Sequence, residues 1–196
     1  MKLAEFLLAM ERIAPKELAM DFDNVGLLIG TERTEIKRVL LALDCTTATA
    51  QEAIDWGADL LLTHHPLFLS GIKRILPDDP ATAGAYLLLR NGIAHYAAHT
   101  NLDAAPGGVN DCLAEALGIL DAIPLPPDQL GRIGNRSAET PASLGAFAAF
   151  VADRLKTAVR ICGAQDAKVS RVALIGGGGG SDFQAAYAAG ADTYIT

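Results

Sequence analysis

Residues 38–63 and 171–196 align without a gap at a constant offset of 133 positions, and this self-similarity constrains the fold more than any other feature. Arg38/Arg171, Val39/Val172, Leu41/Leu174, Gln51/Gln184, Ala53/Ala186, Gly57/Gly190, Ala58/Ala191, Asp59/Asp192 and Thr63/Thr196 are identical. That makes nine matches in 26, against roughly two expected for such a composition. Both copies read strand, turn, helix, Gly-Ala-Asp, strand, Thr. Two ordinary strand–helix–strand units can converge on Ala and Gly, but the unbroken register favours an internal duplication. The copies differ in what comes next: His64 and His65 follow the first, and the second closes the sequence at Thr196.

The rest of the chain alternates in the same manner. Leu3, Phe6, Leu7, Met10 and Ala14 recur at helical spacing and end at Pro15. Residues 38–43 and 60–63 are continuous apolar runs of the kind buried on both faces of a sheet. Thr49 and Glu52 fit a capping box for a helix that ends near Gly57. Helices are also predicted over 81–91, 110–117, about 141–155 and 182–189, with strands over 93–98, near 159–162, and over 169–175 and 192–196. The expected fold class is α/β, as two related α/β/α lobes with mixed, largely parallel sheets. Pro124, Pro126 and Pro127 fall within four residues. We therefore expect a linker over 123–128 between lobes at 1–122 and 129–196, because proline joins neither a helix nor a sheet interior.

Composition excludes several function classes. With 16 Lys+Arg against 23 Asp+Glu the net charge is −7, so no cationic field exists for general nucleic-acid or anionic-membrane affinity. Glu5 and Glu11 interrupt the N-terminal apolar run, which is too short for a signal segment or a membrane span. Cys45, Cys112 and Cys162 form no CxxC pair, and an odd, sparse set fits a reducing, cytoplasmic setting. No Gly-x-Ser-x-Gly elbow occurs and no cysteine lies in a nucleophile motif, so serine or cysteine hydrolase chemistry has no support.

Chemistry-bearing residues collect after the buried strands, where open α/β sheets place their crevices. His64-His65-Pro66 follows the 60–63 run. Pro66 biases His65 towards an extended backbone, and successive side chains on an extended chain diverge. The pair therefore suits two ions a few ångströms apart, each taking one imidazole; the plain alternative is a pair of polar residues ending a strand. His99 and Asp103 follow the 93–98 strand. Asp103 offers a hard anionic ligand or a helix cap, and His99 a ligand, a ligand-orienting group or a hydrogen-bonded strand end. His95 and His99 share a strand face. Gly177, Gly178 and Gly179, within the run 176–180, form a candidate anion loop or simply a tight turn, with no P-loop lysine after it.

Taken together, Asp23-Asn24-Val25-Gly26-Leu27, Leu43-Asp44-Cys45-Thr46, Thr63-His64-His65-Pro66-Leu67, His99-Thr100-Asn101-Leu102-Asp103, Gly107-Gly108-Val109-Asn110 and Gly190-Ala191-Asp192 resemble one family over essentially the whole chain. It is the dinuclear-metal-centre hexamer family, often labelled GTP cyclohydrolase 1 type 2 homologues. The resemblance implies two related lobes, a toroidal homohexamer, and two divalent ions (Zn, Fe or Mn) in a cleft. It places His64 on one ion and His65 with Asp103 on the other, with His99, Asp23, Asn24 and Asp44 around them. Such proteins usually continue past the Gly-Ala-Asp strand into a segment bearing a further His and a bridging Glu, which this sequence lacks. A C-terminally shortened member with weaker, partly water-filled metal binding is the expectation. The function expected is a metal-dependent hydrolase of a small phosphorylated or nucleotide-like substrate, the alternative being a non-catalytic hexameric metal-binding or scaffold protein.

Overall fold

Apolar runs that alternate between two helical layers account for both halves of the computed structural model, which describes residues 1–196. The chain divides into two units, Met1–Ala105 and Pro106–Thr196.

The first unit contains α1 (Leu3–Ile13), β1 (Gly26–Ile29), β2 (Val39–Ala42), α2 (Thr47–Trp56), β3 (Leu60–Thr63), α3 (Ala83–Arg90), β4 (Ala94–Ala97) and the short α4 (Thr100–Ala104). Its sheet runs β1-β4-β3-β2, with β2, β3 and β4 parallel and β1 antiparallel to β4. Adjacent residues of β3 feed opposite faces. Leu61 packs with Ala50, Ala53, Ala85 and Leu88 of α2 and α3, while Leu60 packs with Phe6 and Met10 of α1. A strand buried on both sides needs apolar residues at every position, which is why this run shows no period-two alternation.

The second unit contains α5 (Val109–Ala116), β5 (Ile119–Pro124), β6 (Arg132–Arg136), α6 (Leu144–Leu155), β7 (Arg171–Leu174), α7 (Phe183–Ala188) and β8 (Thr193–Ile195). Its sheet runs β5-β6-β7-β8, with only β7 and β8 parallel. Val172 and Leu174 pack with Phe147 and Val151 of α6, and Ala173 and Ile175 with Ala186 of α7.

The duplication is visible atom by atom. Asp59 accepts from the backbone N–H of Lys37 at 2.8 Å and of Arg38 at 3.0 Å. Asp192, 133 residues later, accepts from Ser170 and Arg171, each at 3.0 Å. Gly57 and Gly190 both adopt positive φ, +70° and +83°, to end α2 and α7 in the left-handed conformation that carries no penalty for glycine. The shared Gly-Ala-Asp is therefore a working part: the glycine turns the chain out of the helix and the aspartate ties the start of one strand to the start of the next.

Three expectations are corrected. The proline-rich segment is not an interdomain linker. Pro124 ends β5 paired with Arg132, and Leu125 is buried and donates its N–H to Gly131 O at 2.9 Å, so 125–131 turns between two strands of one sheet. Proline is tolerated there because β5 lies at the sheet edge. Residues 159–162 form no strand; Val159 and Ile161 remain partly exposed without a sheet neighbour. The cap of α2 is Thr46, whose hydroxyl accepts from the Thr49 N–H at 3.1 Å, and not a Thr49/Glu52 box.

Candidate metal centre

Four short segments of the first unit meet at one sheet edge. His64 and His65 follow β3 directly, while Asp44 and His99 stand two residues past β2 and β4. Because β1 runs antiparallel, the loop entering it brings Asp23 to the same edge. The crevice beyond the carboxyl ends of parallel strands is thus filled with imidazoles and carboxylates.

The three histidines converge. Ring centroids lie 5.2 Å apart for His64–His65, 5.1 Å for His64–His99 and 5.6 Å for His65–His99. One ligand atom from each falls within 4.8 Å of the others. The expected splaying of His64 from His65 does not occur, because strand geometry stops at Thr63. The Thr63 hydroxyl donates to His65 O at 2.7 Å and folds the next two residues into a bend, so alternation no longer separates their side chains.

Each imidazole is oriented through its Nδ1. His64 Nδ1 lies 2.9 Å from Ala98 O, His65 Nδ1 2.7 Å from Asp44 Oδ1, and His99 Nδ1 3.0 Å from both oxygens of Asp23. Each acceptor fixes the proton on Nδ1, which leaves the Nε2 lone pair as the ligating site. Asp23 also accepts from the Thr100 N–H at 3.0 Å and from the Thr100 hydroxyl. Burial alone would raise its pKa, but the bonds from Thr100, His99 and Asn24 outweigh that and hold the carboxyl below its usual range.

Asp103 completes the cluster, with Oδ1 3.7 Å from His64 Nε2 and only 6% of its surface exposed. Burial, assisted by the Asp23 charge, pushes its carboxyl above the ordinary range, while His64, His99 and His65 oppose that shift. Three imidazoles and a buried carboxyl group make a mixed N/O donor set suited to a divalent transition metal.

The model of the Duf34/NIF3 (NGG1p interacting factor 3) family matches residues 1–196. The chain belongs to this family. The NIF3-family chain is 37% identical over 204 residues to the GTP cyclohydrolase 1 type 2 homolog of Streptomyces coelicolor, covering all of itself and 72% of that protein. It is 35% identical over 199 residues to the Lactococcus lactis protein of the same name, covering 77% of it. Among solved structures it superposes on a Bacillus cereus protein related to NIF3 with a TM-score of 0.90 at 27% identity, over 100% of this chain and 82% of that one. Reduced HcgD from Methanocaldococcus jannaschii gives 0.80 at 31% identity, over 99% and 77%.

Within this NIF3-family chain, His64, His65, His99, Asp103, Asp23 and Asp44 all reach the cluster. Asn24 stands at its rim, with its side-chain amide donating to Phe68 O at 2.7 Å. His95 does not reach it; fully buried, it bonds Thr63 Oγ1 through Nε2 at 2.8 Å. The glycine loop belongs to the second unit and is stitched to β8. There the Gly179 N–H donates to Thr196 Oγ1 at 2.7 Å, and the Thr196 hydroxyl to Gly177 O at 3.0 Å. By the offset of 133, Gly177 stands where the first copy has Asp44. Sequence reasoning missed Thr100 and Asn101. The fully buried Asn101 accepts from the His99 N–H at 2.9 Å and donates to Ala14 O at 2.7 Å, tying the histidine's backbone to the end of α1.

Proposed function

We propose that the first unit binds divalent metal through His64, His65, His99 and Asp103, and that the protein is a metal-dependent hydrolase of a small phosphorylated or nucleotide-like substrate. The observation that carries this reading is the convergence of three imidazoles, each with Nδ1 already engaged by an acceptor. When bound, a divalent ion supplies a Lewis acid that activates water near neutral pH and offsets charge developing on the attacked group. The protein's own residues do the rest. Asp23, Asp44 and the Ala98 carbonyl hold the rings in place, and Thr100 and Asn101 hold Asp23 and the His99 backbone in turn. Names among the relatives direct the choice of test substrates towards GTP and other nucleotides. Two ions, the number the dinuclear resemblance implies, are part of the proposal; metal analysis decides between two per chain and one shared by the cluster.

We further propose assembly into a homohexamer. In support, edge strand β2 exposes Leu41 to 70% and is followed by exposed Leu43, a surface that favours pairing over solvent. Light scattering at the mass of six chains is the expected result.

Protein reconstituted with Zn, Mn or Fe is to be screened against phosphoesters and GTP. Metal-dependent turnover that is lost in His99→Ala is expected. Stoichiometric metal without turnover of any substrate would overturn the hydrolase and leave a non-catalytic metal-binding ring.

A further inference from the structure

A cavity of about 480 Å³ opens beside His65, walled by Asp44–Thr46, by Thr47 and Ala48 in the first turn of α2, by His65–Leu67 and by Pro80. Its size falls within the roughly 300–1,000 Å³ of small-ligand pockets. No Lys or Arg lines it, and the one charged wall group is the Asp44 carboxylate. A phosphate placed there would meet the N-terminal end of α2, which favours anions, but also the Asp44 carboxylate, with no side-chain cation to offset that repulsion. Pro66, Leu67, Pro80 and Ala48 instead offer apolar walls. Asp44 turns one oxygen, Oδ1, towards His65, and its side chain is half exposed, so the carboxylate still has acceptor capacity for N–H groups.

The walls are set in advance. Gly84 of α3 packs against the segment ahead of α2 so closely that a Cβ there would stand 3.0 Å from Cys45 O and 3.4 Å from Thr46 O. Thr46 caps α2 from the other side. A preformed pocket loses little entropy on binding.

We propose that this cavity seats a neutral heteroaromatic ring bearing N–H donors, the base-like part of the substrate, with its donor edge on Asp44, and that it does not seat the substrate's phosphate. This assignment rests on the hydrolase reading for its place beside the metal cluster. Its chemistry comes from the cavity walls.

Calorimetric titration of the zinc-loaded protein with guanosine, caffeine and inorganic phosphate tests it. Guanosine, flat with an N–H edge, should bind at least five-fold more tightly than caffeine, which is flat without one. Ala48→Trp places an indole at the cavity wall from an exposed helix position. It should weaken guanosine at least ten-fold with zinc content unchanged, while Gln51→Ala, outside the cavity, should not. Phosphate competing with guanosine for a site that Ala48→Trp closes would overturn the assignment, as would guanosine failing to bind or binding equally to Ala48→Trp. Guanosine binding with the expected selectivity, but no turnover of any phosphoester or nucleotide, would support the ring seat and sink the hydrolase reading alone.

Discussion

Asp23 holds His99 by both carboxylate oxygens, each 3.0 Å from Nδ1, and the aspartate side chain is wholly shielded from solvent. Since Thr100 donates to the same carboxylate, the ring is fixed by a group that is itself fixed. Outer partners of this kind set metal affinity almost as strongly as the ligands. Asp23→Asn should lower zinc affinity by about 10–100-fold, measured by competition with a chromophoric chelator, with far-UV circular dichroism unchanged. Asp44→Asn should cost less, because Asp44 is half exposed and makes a single bond to His65.

Gly84 offers a test at a distance from the ligands. A methyl group there would press on the carbonyl oxygens of Cys45 and Thr46, and the turn carrying Asp44 would give by a few tenths of an ångström. Gly84→Ala should therefore weaken zinc binding a few-fold through His65 and lower stability by about 1–3 kcal/mol, as overpacking does. Gly30→Ala, with no heavy atom within 4 Å of the new Cβ and ordinary φ, is the matched control and should change neither.

Much of this was legible in the sequence, for identifiable reasons. The apolar runs 38–43 and 60–63 and the repeated Gly-Ala-Asp carry local signals strong enough to place two α/β lobes and the edge where His64, His65 and His99 collect. Only 60–63 is buried on both faces, however; 38–43 forms the edge strand β2 and leaves Leu41 and Leu43 exposed. The proline segment misled because a single-chain pattern does not show whether a strand is central or at an edge, and only an edge accepts Pro124 as β5 does. The position of His99 is hidden in the sequence for a related reason. Its place beside His65 follows from β3–β4 register, Thr63 opposite Ala97, which puts the second residue past each strand side by side. Register is a property of two segments, and neither segment states it alone.

The three cysteines should separate by reactivity. Burial pushes the Cys45 thiol up to about 11, whereas Cys112 and Cys162 are exposed. The thiolate is the reacting species, so Cys45 is almost wholly protonated at pH 8. Ellman titration of the native protein should show two fast equivalents and a third that appears only on unfolding. Three fast equivalents would show that the turn around Cys45, ahead of α2, opens readily.

His95 should make the fold acid-sensitive well above the carboxylate range. The Thr63 hydroxyl spends its proton on His65 O, so it accepts from His95 Nε2–H, and the bare Nδ1 lies buried without a partner. Protonating Nδ1 would place a charge and an unpaired donor in the core, and burial accordingly lowers the pKa from 6.5 to about 4. Above pH 6.5 the ring is neutral in both folded and unfolded chains, and stability is at its full value. As pH falls from 6.5 towards 4 the unfolded chain takes up a proton that the native state refuses, so stability declines. Below 4 both states are protonated and the loss is complete, at about 3 kcal/mol for a shift of this size. Urea unfolding of metal-free protein at pH 7.5, 6, 5 and 4.5 should trace that decline. His95→Gln, which keeps a donor for Thr63 and cannot ionise, should flatten the curve over the same interval. An equal slope in the variant would assign the sensitivity to another group, and with it remove the argument that the orphaned Nδ1 is what resists the proton.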